Sequence, residues 1–297
     1  MRLALPLGAE TVELDSSVRF SRARGRNAGY KHLLHNHPGV EYIQFIDGDC
    51  VVADDWVDLA VPYLASHPEV AIVCGRRMER FPRASIYNLL IDIEWNGPIG
   101  QIESCGGDAM IRADTLECVG GYDEQLIAGE EGELCARLRE RGWRICRLDA
   151  GMTTHDAAMT RFAQWWKRSV RSGYGALDVA RRPRGQHTAF PRQVRSTRLW
   201  ALGWPVAVCC AGGVMTLLGG VEARALAALV VAMFLPLQIA RVTGHLLQRR
   251  VALRHSLLYA CFTMLAKWPQ LVGHIRWTQD RRANRAPVLM EYKSIKS

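Results

Sequence analysis

A short apolar segment that ends directly at three turn-forming residues is the strongest constraint on the fold of this chain. Residues 40–46 read Val-Glu-Tyr-Ile-Gln-Phe-Ile, and Asp47, Gly48 and Asp49 follow at once. The segment is typical of a β-strand, and Asp and Gly are common turn formers. We refer to residues 47–49 as the acidic turn. The sequence therefore predicts a strand that carries two carboxylates to one edge of a sheet.

Further short elements alternate along residues 1–198. After the acidic turn we predict a helix over 57–65, a strand over 70–74, a helix over 129–142 and a strand over 144–148. Alternating strands and helices favour an α/β fold with a mainly parallel sheet. In such sheets ligands bind outside the carboxyl ends of the strands, which is where the acidic turn lies.

The net charge of +9 permits nucleic acid, anionic lipid or an anionic substrate as a partner. The position of the charge decides among these, because the basic residues between 161 and 198 are opposed by Asp178 alone and the chain becomes apolar directly afterwards. A basic stretch beside apolar segments is typical of a juxtamembrane region. No nucleic-acid partner is predicted.

Three apolar runs follow the basic stretch. The first, 200–221, carries no charge and is close to the ~20 residues that a helix needs to cross a bilayer. Together with the shorter run 225–240 it predicts a helical hairpin in a membrane. The third, 256–275, contains Lys267 and His274, and a charge near the middle of a span costs ~2.5 to 3.5 kcal/mol. An interfacial helix therefore fits the third run better, and buried core helices are the alternative for all three.

The acidic turn has two interpretations. Two carboxylates separated by one glycine can converge, because Gly48 tolerates a tight backbone conformation, and hard oxygen ligands suit Mg²⁺ or Mn²⁺. A cation held there would neutralise a leaving diphosphate. Alternatively, the residues form only a solvated turn after a strand.

A second acidic segment begins the helix predicted from Gly129. Glu130 and Glu131 lie at its start, where backbone dipoles favour anions. Such a carboxylate can act as general base on a hydroxyl, or it can be a plain helix-terminal charge. Upstream, residues 105–108 read Cys-Gly-Gly-Asp, which is either a close approach for a bulky ligand or a tight turn.

Five motifs follow one another in a recognisable order: 23–29 (Ala-Arg-Gly-Arg-Asn-Ala-Gly), 45–49 (Phe-Ile-Asp-Gly-Asp), 105–112 (Cys-Gly-Gly-Asp-Ala-Met-Ile-Arg), 120–123 (Gly-Gly-Tyr-Asp) and 129–143. In this order the chain resembles the family 2 glycosyltransferases of the GT-A fold, specifically their exopolysaccharide-type membrane members. The resemblance covers about residues 18–175. It implies an α/β fold with a Rossmann-like, mainly parallel sheet, and a nucleotide-sugar donor.

The resemblance implies a role for each acidic motif. Asp47 and Asp49 would form the D-x-D metal motif for Mg²⁺ or Mn²⁺. Glu131 stands where the family has the catalytic base, and its neighbour Glu130 is the alternative. The reaction would be an inverting transfer in exopolysaccharide or cell-surface glycan synthesis.

The resemblance also implies binding residues for the two substrates. Arg26 and Asn27 would lie near the nucleotide, and Gly106, Gly107 and Asp108 near the sugar or the acceptor. The expected acceptor is a polyprenyl-linked saccharide that receives a single sugar. A non-catalytic, degenerate transferase that acts as a membrane scaffold is the alternative.

Four further candidate binding residues lie downstream of the second acidic segment. His155 is a candidate metal ligand or phosphate contact, although a lone histidine is more often structural. Gln164, Trp165 and Trp166 are similar to the Q-x-x-R-W segment with which processive synthases such as cellulose synthase bind acceptor sugar. Tryptophan faces suit sugar stacking and the membrane interface equally well.

The sequence thus predicts four regions: a GT-A domain over 1–175, a basic juxtamembrane linker over 176–198, membrane helices over 199–275 and a basic tail over 276–297. We expect an inner or plasma membrane protein with a cytoplasmic catalytic domain. The family's opening strand and its Asp-containing base-binding loop are not found in the sequence. The first domain is therefore expected to be N-terminally truncated.

Overall fold

The computed structural model describes residues 8–182, 189–218 and 221–286. The chain divides into two compact units. The described part of the first consists of residues 8–160 with 181–182 and 285–286, and that of the second consists of 161–180 and 189–284 without 219–220. The basic tail from 287 onward and residues 183–188 of the predicted linker lie outside the described residues.

The first unit alternates strands and helices, as predicted. Its elements are α1 (Arg22–Asn36), β1 (Tyr42–Phe45), β2 (Cys50–Val52), α2 (Trp56–Ser66), β3 (Val70–Glu79), α3 (Ile86–Trp95), β4 (Gly100–Gln101), β5 (Ala109–Arg112), α4 (Ala113–Cys118), α5 (Glu130–Glu140) and β6 (Arg144–His155). Ser21 and Ser85 cap α1 and α3, because each side chain accepts a hydrogen bond from a backbone N–H of the first turn.

The six strands form one mixed sheet. Its order is β1-β5-β3-β6-β2, and β4 pairs with β6. β3 and β6 are parallel, and β5 lies antiparallel between β1 and β3, so that β1, β3 and β6 run in one direction. β2 and β4 oppose them as antiparallel partners of β6. The α/β class is confirmed, but the sheet is mixed rather than mainly parallel, because β3 and β6 form its one parallel pair among the described strands. The short β4 and β5 do not show their direction in sequence.

The central strand β3 explains the apolar run at its start. Every residue of 70–74 is buried, as expected for a strand that is covered on both faces. The largest buried side chains around it include Trp56 and Leu64 of α2 and Leu134 and Leu138 of α5. This core holds the carboxyl end of β1 and the start of α5 in fixed positions.

The second unit is helical in its described part. Its elements are α6 (Phe162–Ala180), α7 (Ala189–Arg198), a π-helical turn (Leu199–Gly203), α8 (Trp204–Leu218), α9 (Val221–Gln248), α10 (Leu253–Leu265) and α11 (Lys267–Arg282). The predicted domain boundary at residue 175 falls inside α6. Asp178 of α6 is buried and accepts hydrogen bonds from Trp277 Nε1 at 3.0 Å and Arg281 Nη2 at 3.1 Å, which fasten α11 to α6.

The apolar runs predicted to span a membrane are divided differently in the structure. The run 200–221 contains part of the π-helical turn and the whole of α8, and its residues 219–220 lie outside the described part.

Within the described ranges, no helix combines the length and the apolar character needed to cross a membrane. This finding overturns the predicted transmembrane helices and, with them, the predicted inner or plasma membrane location.

Two glycines allow α6 and α11 to pack closely. A Cβ at Gly273 would overlap the carbonyl oxygen of Val170 and lie 2.6 Å from the backbone nitrogen of Tyr174. A Cβ at Gly173 would overlap the backbone of Gln270. The obstacles are main-chain atoms, which cannot rotate away as a side chain can. Only glycine fits at either position without separating the two helices.

We therefore expect Gly273→Ala to lower the free energy of unfolding by about 2 to 3 kcal/mol through overpacking. Gly244→Ala on α9 is the matched control, because a Cβ there meets no atom within 4 Å. Alanine is the better helix former, so this control should stabilise by about 0.5 to 1 kcal/mol. Urea denaturation followed by tryptophan fluorescence measures both. Equal effects of the two substitutions would refute the packing argument.

Candidate active site

Three elements of the first unit meet at the acidic turn. The turn joins β1 to β2 and is closed by a hydrogen bond from the backbone N–H of Cys50 to the carbonyl of Asp47 at 3.0 Å. α5 begins with Glu130 and Glu131 after Gly129, whose φ of 87° is left-handed and suits glycine. α1 contributes Arg26. The two acidic motifs, far apart in sequence, therefore face the same space.

Arg26 connects the two acidic motifs. Its Nη2 donates to Asp47 Oδ1 at 3.0 Å, and its Nη1 donates to Glu131 Oε1 at 2.7 Å. The same Nη1 lies 3.4 Å from Glu130 Oε1. The arginine side chain is only 10% exposed. Although burial opposes its charge, the acids, with Glu131 the largest contributor, raise the pKa of Arg26 above its ordinary value.

Asp47 has an arginine on each carboxylate oxygen. Arg26 occupies Oδ1, and Arg77 Nη2 donates to Oδ2 at 2.8 Å. Burial acts to raise the pKa of Asp47, but the hydrogen bond from Arg77 and the charges of both arginines outweigh it and lower the pKa to about 2. Asp47 is therefore a carboxylate at any ordinary pH.

Asp108 fixes the backbone of the acidic turn. Its Oδ1 accepts the backbone N–H of Asp47 at 2.9 Å, and its Oδ2 accepts the hydroxyl of Thr153 at 2.7 Å and the thiol of Cys50 at 3.2 Å. The side chain is 1% exposed. The predicted contact of Asp108 with sugar or acceptor stays a prediction, and the structure adds that this carboxylate organises the turn.

The two glycines before Asp108 differ in their surroundings. A Cβ at Gly107 would lie 2.5 Å from Arg26 Nη2, 3.2 Å from Glu131 Oε1 and 3.4 Å from Asp47 Oδ1. At Gly106 no atom lies within 4 Å of such a Cβ. Gly107 is thus glycine because the charged groups approach its backbone, and Gly106 borders open space.

The two candidate bases differ in exposure. The side chain of Glu130 is 2% exposed and that of Glu131 is 18% exposed. A general base must reach the hydroxyl of a bound substrate. Access therefore favours Glu131 over Glu130.

A possible metal site adjoins the acidic turn. Asp49, Cys50 and His155 each offer one ligand atom, and these atoms lie within 4.8 Å of one another. His155 Nε2 is 3.2 Å from Asp49 Oδ1, and the ring packs edge-on against Trp95. Burial raises the pKa of the Cys50 thiol to about 12, so at neutral pH the carboxylate and the imidazole are the better ligands. A carboxylate and an imidazole together suit a divalent cation.

Asn27 uses its side-chain amide within the protein. Its Nδ2 donates to the carbonyl of Tyr122 and to Glu124 Oε1, both at 2.8 Å, and its Oδ1 accepts the backbone N–H of Tyr122 at 2.9 Å. The residue is buried. Asn27 therefore holds the turn before Tyr122, and its predicted place near the nucleotide stays a prediction.

The predicted acceptor-binding residues belong to the second unit. Trp165 is buried, and its ring packs edge-on against Phe262 with centroids 5.1 Å apart. The ring of Trp166 lies 5.8 Å from that of Phe162. Gln164 accepts the backbone N–H of Arg161 at the start of α6. Their sugar-binding role stays a prediction, and the buried face of Trp165 is engaged in packing.

Sequence reasoning missed Arg77. Arg76 and Arg77 follow each other on β3, and the strand register is irregular between them. Arg76 pairs with Asp92 of α3, whereas Arg77 pairs with the acidic turn. No motif in the sequence indicated which acids each arginine meets.

Comparison with known proteins agrees with this geometry at the level of the fold. No protein-family model and no curated protein sequence matches the chain. Among solved structures it is similar to the mannosyltransferase PcManGT from Pyrobaculum calidifontis in complex with GDP-Man and Mn²⁺, with a TM-score of 0.53 and 17% identity over 90% of this chain and 69% of that one.

Two structures of TarS from S. aureus are more distant. One has a TM-score of 0.39 and 11% identity, covering 85% of this chain and 42% of that chain. The other, residues 1–349 with UDP-GlcNAc, has a TM-score of 0.40 and 10% identity, covering 89% and 73%. The likeness to PcManGT shows that this chain has a GT-A-like glycosyltransferase fold, in agreement with the fold that the motifs imply.

Proposed function

We propose that this chain is a metal-dependent glycosyltransferase that moves a sugar from a nucleotide-sugar to a hydroxyl of a saccharide acceptor. The meeting of the acidic turn with Glu131 is the observation that carries the proposal. Asp47 and Glu131 lie at 3.0 and 2.7 Å from the same guanidinium, that of Arg26. A donor-binding acid and a candidate base on one small cluster suit a displacement at a sugar carbon.

The donor end of the site has residues that suit a metal–diphosphate group. Asp49 and His155 would hold a divalent cation, with Asp47 beside it. As in the sequence-based prediction, the proposed cation is Mn²⁺ or Mg²⁺. When bound, the cation neutralises the departing diphosphate. Arg26 and Arg77 offset part of the negative charge of the acids around Asp47, so that less of it opposes the diphosphate.

The acceptor end requires a group that removes a proton. Glu131 takes the proton of the acceptor hydroxyl while the hydroxyl oxygen forms a bond to the anomeric carbon of the donor sugar. At the same time the bond from that carbon to the diphosphate oxygen breaks. A single displacement of this kind inverts the configuration. Gly107 lies close to the carboxylate of Glu131, and Gly106, the residue before it, borders open space. This space leaves room for the sugar.

A panel of nucleotide-sugars titrated by calorimetry against the whole chain, with Mn²⁺ or with EDTA, tests the proposal. GDP-mannose is the first donor to test, because the solved PcManGT complex contains GDP-Man and Mn²⁺. We expect binding that depends on Mn²⁺ and that weakens on the order of 100-fold in Asp49→Ala, since a metal ligand is lost.

Asp54→Ala is the matched control, because Asp54 is an exposed acid just before α2. This variant should bind the donor like the wild type. If the wild-type chain binds no donor of the panel in the presence of Mn²⁺, the proposed function is wrong. Binding that persists unchanged in Asp49→Ala would remove Asp49 from the metal site.

A further inference from the structure

Arg77 of β3 lies beneath the acidic turn. Its side chain is 14% exposed. Nη2 donates to Asp47 Oδ2 at 2.8 Å, and Nε lies 3.2 Å from Asp108 Oδ2. Its guanidinium also lies over the ring of Trp95, 4.8 Å from the centroid, which adds a cation–π contact. One planar cation is thus held from two sides by acids and from a third by an aromatic ring.

These contacts close a ring of three residues. Asp108 accepts the backbone N–H of Asp47, and Arg77 pairs with the side chains of both Asp47 and Asp108. The main chain and the side chain of Asp47 are therefore held by the same pair of residues, Arg77 and Asp108, which we call the Arg77–Asp108 pair. Rotation of either one would break a charge-assisted bond, which is stronger than a neutral hydrogen bond.

The Arg77–Asp108 pair depends on Arg77, because Asp108 carries a buried charge. Asp108 is almost fully buried, and a buried carboxylate needs a cation or several hydrogen bonds as partners. Thr153 and Cys50 supply neutral donors, and Arg77 supplies the positive charge. Without Arg77, Asp108 would face Asp47 as an unbalanced anion and would hold the turn less firmly.

We propose that Arg77 is a positioning residue for glycosyl transfer, which holds the acidic turn in the conformation that receives the metal–diphosphate end of the donor. This inference rests on the proposed function. Arg77 acts through Asp47 and Asp108 and needs no contact with the sugar. Its loss weakens donor binding first, because the turn belongs to the donor end of the site.

The adjacent Arg76 provides a matched control. It is the preceding residue on the same strand, is also an arginine and also forms an ion pair, but its partner is Asp92 Oδ2 of α3, at 3.2 Å. Arg76→Gln removes the same charge and a comparable ion pair without touching the acidic turn. Any effect of Arg77→Gln beyond that of Arg76→Gln is therefore specific to the turn.

Arg77→Lys separates positioning from mere charge. Lysine keeps the positive charge but has no planar fork, so one ammonium cannot reproduce the paired contacts with Asp47 and Asp108. We expect KM for the donor to rise roughly 10- to 100-fold in Arg77→Gln, the range for a lost charge-assisted bond, and to an intermediate value in Arg77→Lys. In Arg76→Gln it should stay within about twofold of the wild type, as for ordinary surface substitutions.

Steady-state kinetics with the donor and hydrogen exchange of residues 44–52 in the whole chain form the test. In Arg77→Gln we expect faster exchange in this segment, together with the raised KM and a smaller change in kcat. Wild-type exchange in 44–52, or an unchanged KM with a lower melting temperature, would overturn the inference and leave Arg77 as a fold stabiliser only. If the wild-type chain binds no donor, the proposed function fails, and hydrogen exchange still decides whether Arg77 holds the turn.

Discussion

Glu131→Gln is expected to lower turnover by about 10²- to 10⁴-fold, the usual contribution of a general base. Glutamine has the same length as glutamate and keeps a hydrogen-bonding oxygen, but it cannot take a proton from the acceptor hydroxyl. The donor binds around the acidic turn, so its dissociation constant should change by no more than a few fold. Single-turnover rates with donor and acceptor, together with calorimetry for donor binding, measure the two effects separately.

Two further variants make this prediction specific. Glu140→Gln changes an exposed acid at the other end of α5 and should leave turnover at the wild-type level. Glu130→Gln tests the neighbouring acid, whose side chain is nearly buried and lies 3.4 Å from Arg26. A steep loss of turnover in Glu130→Gln, with normal turnover in Glu131→Gln, would transfer the role of base to Glu130.

Local pattern was enough to predict the elements that carry the acids. The strand predicted over 40–46 appears as Tyr42–Phe45, and the helix predicted from Gly129 appears as Glu130–Glu140. Each is defined by residues that are neighbours in sequence. The resemblance carried by the five motifs then implied a role in one reaction for both acidic segments, and the structure brings Asp47 and Glu131 onto Arg26. Their catalytic and metal-binding roles stay predictions.

Long-range pairing could not be predicted. β5 lies antiparallel between β1 and β3, although it is only four residues long and its sequence gives no direction. Arg77 meets Asp47 and Asp108 because this sheet order places the three residues side by side. The hydrogen bond from the backbone of the acidic turn to Asp108 was not predicted either, and the predicted contact of Asp108 with sugar or acceptor stays a prediction.

The membrane prediction was wrong because it rested on composition. An uncharged run shows that no charged residue lies in it, but it does not show whether the helix through it is regular. In the structure, the run that starts at 200 includes a π-helical turn, and Pro205 lies two residues after its end. A proline inside a helix removes a backbone hydrogen bond and disturbs the regular turn, which a count of charges overlooks.

Arg26→Gln is expected to lower the free energy of unfolding by about 3 kcal/mol, because it removes the cation shared by three acids. Asp47, Glu130 and Glu131 all lie within 3.4 Å of its guanidinium. A neutral amide can donate hydrogen bonds but cannot offset three negative charges, one of them on the buried Glu130. Removing one partner of a buried ion pair lowers the stability by more than the intact pair adds to it, because the remaining charges stay buried without a counter-charge.

Arg24→Gln is the matched control on the same helix. Arg24 is partly exposed and donates to the backbone carbonyls of Val18 and Asp15, without pairing to the acid cluster. Its substitution should change the stability by less than about 1 kcal/mol. Urea denaturation of the two variants and the wild type decides the matter. Equal stability of the two variants would mean that Arg26 is not needed to offset the charges of the acids in the site. The guanidinium between Asp47 and Glu131 would then not be what holds the acidic turn and the start of α5 together.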